Sequence, residues 1–347
     1  MAHRPPDDSA DARRRKFLQS FQNFDANSRF PAPYAHFAGK PLTEASGQGW
    51  RYDALGYRND AHADARPPSE TLRVFVVGDS TLIDGQVFAD TVPGRLETGL
   101  KQAHGPGARV YNFGAVSACL NQMIALITTR LMDLQPDVIL IVGGATDIFQ
   151  PWSFDPRAGV PYNHFANESL YDYFFDPRKS AGDAEALSYD GLQAMIFNRL
   201  ENLRALTNWQ SDIWEWEVVR QFELALKRLA RLAPGIGAPV RFLLQPTVVR
   251  KETHAAAEAG VASGAFLAYL DRQYERFESV LGRLDAADRV FAARDLSRLF
   301  EAETRALFTD IVHVTSEGRQ MMADRLQTEV ANAIGASAQG AIIPSAD

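Results

Sequence analysis

The sequence predicts an α/β fold of three layers, a parallel sheet between two layers of helices, and two observations carry that prediction. Short apolar runs closed by glycine recur, as in Leu72–Gly78 and Asp137–Gly143, and stretches of helical spacing such as Val92–Gln102 alternate with them. Strands buried on both faces lack polar alternation, and parallel neighbours need a crossover long enough to hold a helix.

Taken in order, residues 1–68 read as a leader or arm: a short helix over Lys16–Phe24, then irregular chain rich in proline and aromatics through Phe30, Pro31, Pro33, Tyr34 and Trp50. The main domain is expected over 69–335. Its elements are strand Leu72–Gly78, helix Val92–Gln102, strand Ala108–Phe113, helix Gln122–Leu134 and strand Asp137–Gly143. From 149 to 211 the periodicity fades and aromatics accumulate (Trp152, Phe154, Tyr162, Phe165, Tyr171, Tyr173, Phe174, Phe175). This is a long insertion, either a substrate-lining lid or a surface excursion with its own small core. Helix Ile213–Leu232, strand Val240–Leu244, helix Ala265–Leu284, strand Arg289–Ala292 and helix Ser316–Ile334 complete the pattern, and 336–347 read as a flexible tail.

Apolar residues make up 46% and charged residues 23% of the 347, which is ordinary globular usage. A net charge of −7 argues against binding to phosphate backbones, so nucleic acid is not an expected partner. The single cysteine, Cys119, cannot make an internal disulfide, and no Cys/His cluster has zinc spacing. The charged start (Asp7, Asp8, Asp11, Arg13 to Lys16) has no apolar stretch of signal-peptide length, and no later run has membrane-spanning length. The expectation is a soluble, cytoplasmic protein with no integral membrane segment. Without a Gly-x-Gly-x-x-Gly after a strand, or a lysine-bearing phosphate loop, no cofactor is implied.

A parallel sheet presents its chemistry where strands end and loops begin, at the carboxyl edge. Four segments lie there. In Gly78-Asp79-Ser80-Thr81 a serine follows the first strand directly; a serine capping a helix would look the same. In Asp310-Ile311-Val312-His313, just before the last helix, a carboxylate and an imidazole are three residues apart. A serine hydroxyl needs a neutral imidazole to take its proton and a carboxylate to hold that imidazole's tautomer. Thr315-Ser316 can cap the helix, which leaves His313 for another task, whereas the other six histidines lie in leader or loop segments without such a partner. Two further turns, Gly114-Ala115-Val116-Ser117 and Gly143-Gly144-Ala145-Thr146-Asp147, end strands in small residues that let backbone N–H groups approach a substrate.

Together the four segments resemble the SGNH hydrolase family, the GDSL esterases, over about Leu72–Leu326. The resemblance implies the SGNH hydrolase fold, with its flavodoxin-like sheet, and catalytic roles for Ser80 as nucleophile, His313 as general base then acid, and Asp310 as its orienter. It implies an oxyanion hole from Ser80, Ser117 and Thr146, with Gly114 nearby; Asp79, Asp147 and Trp152 are candidates to line the substrate. Gly56-Tyr57-Arg58-Asn59 looks like the Gly-Phe-Arg segment that precedes the first strand in many bacterial members. Two positions depart from the family pattern. Ser117 stands where a glycine is usual, and Thr146 where an asparagine normally supplies a side-chain amide.

The expected function is a serine carboxylic ester hydrolase acting on a small acyl ester, such as an O-acetyl group on a carbohydrate or related metabolite. O-acyl transfer by the same triad, or ligand binding by a scaffold with weakened catalysis, are the other readings. Cys119, close behind the second turn, reads as buried packing rather than a nucleophile.

Overall fold

The computed structural model describes residues 29–45, 49–61, 63, 66–175, 189–258, 264–284 and 290–340. Strands β1 (Phe30–Ala32) and β2 (His36–Ala38) pair antiparallel as a hairpin in the arm, where irregular chain was expected. The main sheet holds β3 (Leu72–Gly78), β4 (Ala108–Gly114), β5 (Val138–Gly143), β6 (Val240–Leu244) and β7 (Phe291–Asp295), all parallel. Their spatial order is β4-β3-β5-β6-β7, the flavodoxin-like order 2-1-3-4-5 when counted from β3. The order reverses at β3, so the loop carrying Ser80 lies at the switch point.

The helices are α1 (Val92–His104), α2 (Leu120–Leu126), α3 (Ala145–Ser153), α4 (His164–Phe175), α5 (Tyr189–Leu206), α6 (Asp212–Ile236), α7 (Ala265–Leu284) and α8 (Ser316–Gly340). Every residue of β3 is buried, and its side chains divide between two cores. Val74 and Val76 pack with Leu96 and Leu100 of α1 and Leu326 and Val330 of α8. Phe75 and Val77 share the opposite core with Met123 of α2, Phe222 and Leu226 of α6, and Tyr274 and Phe277 of α7. Each such aliphatic or aromatic side chain contributes roughly 1.5–3 kcal/mol by leaving water, which is why the central strands tolerate no polar face.

Local chemistry sets the boundaries that periodicity missed. The helix expected over Gln122–Leu134 is α-helical only to Leu126, then passes through a π turn (Ile127–Leu131) and a 3-10 turn (Met132–Leu134). The Thr128 and Thr129 hydroxyls donate back to the Ile124 and Ala125 carbonyls, competing for the helix's own acceptors. In the described part of the insertion, α4 and α5 pack through a small core of Phe165, Ala166, Ile196 and Leu200. Its amphipathic stripes face each other and are narrow, so they carry little periodic signal. The insertion also meets the arm, where His36 lies edge-on to His164 at 5.0 Å and its ring nitrogen bonds Asn167. The last helix continues past Ile334 to Gly340, five residues into the expected tail. The expected helix Lys16–Phe24 and the end of the tail, 341–347, lie outside the described residues. Among the described residues no helix is long and apolar enough to cross a membrane.

Candidate active site

Ser80 begins a 3-10 turn, Ser80–Leu82, immediately beyond the carboxyl end of β3. The turn is tight because its floor admits no side chain. A Cβ on Gly78 would stand 2.5 Å from the Val142 carbonyl oxygen, and one on Gly114 would stand 2.8 Å from Leu82 Cβ. Asp79 caps the turn: its Oδ1 accepts from the Thr81 N–H at 3.0 Å and the Thr81 hydroxyl at 2.8 Å.

The partner of Ser80 arrives from the far end of the chain. His313 Nε2 lies 2.8 Å from Ser80 Oγ, and His313 Nδ1 lies 2.6 Å from Asp310 Oδ2. A carboxylate can only accept, so Nδ1 donates to Asp310, and the neutral ring presents Nε2 as acceptor to the serine hydroxyl. Asp310 Oδ1 meanwhile accepts the backbone N–H groups of Val312 (2.9 Å) and His313 (2.7 Å), which closes the loop on itself.

Two outside anchors hold this loop. The Ile311 carbonyl accepts from the Val248 N–H and the Thr247 hydroxyl, both at 2.9 Å. Behind it, the fully buried Glu258 accepts the N–H groups of Leu307 and Phe308 on Oε1, and the Lys251 ammonium on Oε2 at 2.6 Å. Lys251 also donates to the Arg305 carbonyl.

Charge at the site follows from these contacts. Burial disfavours the His313 imidazolium, but the hydrogen bond and charge of Asp310 outweigh it, with Asp79 and Asp84 adding, so its pKa is raised above 6.5. For Asp310, burial pushes upward and is overcome by His313 and the two backbone N–H groups, leaving a pKa of about 2.

The oxyanion candidates fare differently. Thr146, on the first turn of α3, is buried and donates its hydroxyl to Asp79 Oδ2 at 2.8 Å. A hydroxyl has one proton, so the expected side-chain donor at this position is already committed. The Gly114 N–H is committed too, to Asn112 Oδ1 at 2.8 Å. Among the described residues, the N–H groups of Ser80 and Ser117 donate to no protein oxygen.

The three candidate substrate-lining side chains are also turned to internal work. Asp79 is spent on Thr81 and Thr146. Asp147 receives the Leu120 N–H on both oxygens at 3.1 Å, and burial pushes its carboxyl up to about 7 against that bond, with the charge of Asp79 adding. Trp152 stacks on Tyr269 at 4.6 Å within a cluster that includes Trp209, Trp214 and Phe266. The Cys119 thiol is buried and pushed up to about 12, mainly by loss of solvent, so it offers no thiolate.

Sequence reasoning did not single out Gln150, Arg29 or Glu258, and it named Asn59 only as part of the Gly56–Asn59 segment. Gln150 follows Thr146 by four residues, hence on the same face of α3, and donates to the Ser117 carbonyl. Asn59 joins the arm to β4 through the Asn112 N–H and carbonyl. Arg29 reaches Ser117 Oγ at 3.2 Å while its guanidinium lies 4.4 Å above the Tyr162 ring, bringing arm and insertion to one point. The spacing of Gln150 was a usable signal; the other contacts span loops and leave none. Among the described residues no group of three or more His, Cys, Asp and Glu could hold a metal ion.

No protein-family model matches the chain, and no curated protein matches it. Several solved structures are similar over part of its backbone. The alpha/beta hydrolase enzyme LAE5 from the metagenome of Lake Arreo, Spain, is 13% identical, with a TM-score of 0.42 over 79% of this chain and 99% of its own. An acetyl xylan esterase, AlAXEase, is 11% identical, with a TM-score of 0.43 over 75% and 100%. A lipase from a goat rumen metagenome is 16% identical, with a TM-score of 0.39 over 74% and 97%.

Proposed function

We propose that this chain is a serine esterase of the SGNH kind that cleaves a small acyl ester through an acyl-enzyme on Ser80. The observation that supports it most is the relay Ser80 Oγ, His313 Nε2, His313 Nδ1, Asp310 Oδ2, with both links at hydrogen-bond length. In this reading Ser80 Oγ attacks the ester carbonyl as its proton passes to His313 Nε2. The same proton then goes to the leaving alkoxide, and Asp310 stabilises the imidazolium formed between the two transfers. Water enters in the second half-reaction: its oxygen attacks the acyl carbonyl as one proton passes to His313 Nε2, and that proton then goes to Ser80 Oγ as the acyl–oxygen bond breaks and the acid leaves.

With Thr146 bound to Asp79, the oxyanion falls to the backbone N–H groups of Ser80 and Ser117. Each well-placed donor is worth about 3 kcal/mol in the transition state. The Ser117 side chain occupies space that a glycine would leave open beside that oxygen, which favours a short acyl group such as acetate; a sugar hydroxyl is the proposed alcohol. Acyl transfer is the second reading, favoured by the convergence of Arg29 and Tyr162 on Ser117, since cover from arm and insertion would keep water out.

The test is turnover of p-nitrophenyl acetate and butyrate, with labelling by a fluorophosphonate probe and mass mapping of the adduct. Acetate is expected to be the faster substrate and Ser80 the labelled residue. An added sugar acceptor that accelerates nitrophenol release would convert the reading to acyl transfer. A chain that neither turns over nor takes the label is not a serine esterase.

A pH profile follows from the electrostatics. His313 must be neutral to accept the proton, and Asp310 holds its pKa above the ordinary 6.5. The acid limb of kcat/KM should therefore have its midpoint above pH 6.5. Asp310→Asn should move that midpoint downward while lowering the plateau on the order of 10⁴-fold. A midpoint unmoved by Asp310→Asn would contradict the assignment.

A further inference from the structure

Ser117 has a backbone φ of +60°, in the left-handed region where a side chain collides with its own carbonyl. For a residue other than glycine this conformation costs roughly 1–2 kcal/mol, and it persists only where the surroundings impose it. The imposing contacts come from both sides. The loop closes behind it through Ala115 N–H to the Gly78 carbonyl at 3.0 Å and Ala118 N–H to the Ala115 carbonyl at 3.1 Å. In front, Gln150 Nε2 donates to the Ser117 carbonyl and Arg29 to its hydroxyl.

Gln150 is 2% exposed, and its Oε1 is buried without a hydrogen-bond partner among the described residues. An orphaned amide oxygen costs about 1–3 kcal/mol. Turning the amide over would set that oxygen against the Ser117 carbonyl, so the donor end is held in place at the expense of the acceptor end. One face of α3 therefore carries three ties to the loops around Ser80: Thr146 to Asp79, Asp147 to the Leu120 N–H, and Gln150 to the Ser117 carbonyl.

We propose that Gln150 is a positioning residue which clamps Ser117 in the left-handed conformation and so fixes the second oxyanion N–H, compensating for the missing glycine at 117. The proposal rests on the serine-esterase reading for its catalytic consequence, whereas the clamp itself is a property of the fold. A glycine adopts φ of +60° unaided. The need for Gln150 should then disappear when Ser117 is replaced by glycine.

The experiment is a double-mutant cycle of Ser117→Gly and Gln150→Leu, with Gln150→Glu as a second probe that keeps the shape but cannot donate. In the Ser117 background, Gln150→Leu should lower kcat for p-nitrophenyl acetate by about 10- to 100-fold, with KM changed less than about threefold. In the Ser117→Gly background the same replacement should cost less than about threefold in kcat.

Urea unfolding of the four proteins gives a readout independent of turnover: Ser117→Gly should be more favourable with Gln150 intact than in the Gln150→Leu background, by about fivefold in the unfolding constant, because glycine relieves strain only where the clamp imposes it. If the wild type neither turns over nor labels while this stability coupling is present, the esterase reading fails and the clamp stands. Equal losses in both backgrounds by both readouts, or none in either, would overturn the clamp.

Discussion

Replacement of Ser80 by alanine should remove ester turnover, lowering kcat by a factor on the order of 10⁴–10⁶, and should abolish fluorophosphonate labelling. The size follows from the role assigned to one oxygen. Without Oγ no acyl-enzyme forms, and what remains is the modest acceleration that backbone donors give to attack by water. His313→Ala should lose a comparable amount, and the double variant little more, because nucleophile and base act as a unit. Folding should be spared: Ser80 is half-buried, and its turn is set by Asp79, Gly78 and Gly114 rather than by its hydroxyl. The check is kcat for the three variants beside their melting temperatures. Residual turnover within tenfold of wild type in a folded Ser80→Ala protein would place the chemistry elsewhere.

The second large effect lies outside the reacting atoms. Glu258→Ala should destabilise the protein by about 3–5 kcal/mol. The Lys251 ammonium, itself only 1% exposed, would be left buried without its counter-charge, and the N–H groups of Ala255, Leu307 and Phe308 would lose their acceptor. At the size of this chain that corresponds to a fall in melting temperature on the order of 10 °C. A paired replacement, Glu258→Gln with Lys251→Met, should recover much of the loss, since the amide oxygen can still accept from Leu307 and Phe308 and no charge is stranded.

The pH dependence carries a matching sign. Burial would raise the Glu258 pKa, but Lys251 and the three backbone N–H groups together hold it below 4.5. Its contribution is therefore fully present above pH 4.5 and is lost as the pH falls through the depressed value. Thermal melts of the wild type and both variants between pH 3 and 8 check this, and a Glu258→Ala protein that melts within 2 °C of wild type would contradict it. The consequence for chemistry is direct, because the segment Glu258 holds at Leu307 and Phe308 leads straight into Asp310 and His313.

Much of this arrangement was readable before any coordinates. Strands Leu72–Gly78 and Val240–Leu244 and helix Ala265–Leu284 begin and end where apolar runs and spacing place them, because central parallel strands and amphipathic helices are written into consecutive residues. The edge strand was less legible: expected over Arg289–Ala292, it runs over Phe291–Asp295 with its last two residues only partly buried or exposed, which blurs its apolar run. The helix pair in the insertion escaped notice for a related reason, as each helix buries a narrow stripe against the other.

At the site, Ser80, Asp310 and His313 stood out through their places at the sheet edge and the resemblance of their segments to the SGNH hydrolase family, since a hydroxyl, an imidazole and a carboxylate are the types such a relay needs. Which donors remain for the oxyanion was decided by tertiary structure. Whether Thr146 offers its proton outward or to Asp79, and whether Ser117 can sit at φ of +60°, depends on contacts between residues 67 and 33 positions apart. Local sequence sets what a side chain can donate and accept; the packing of α3 against two separate loops sets where each proton goes.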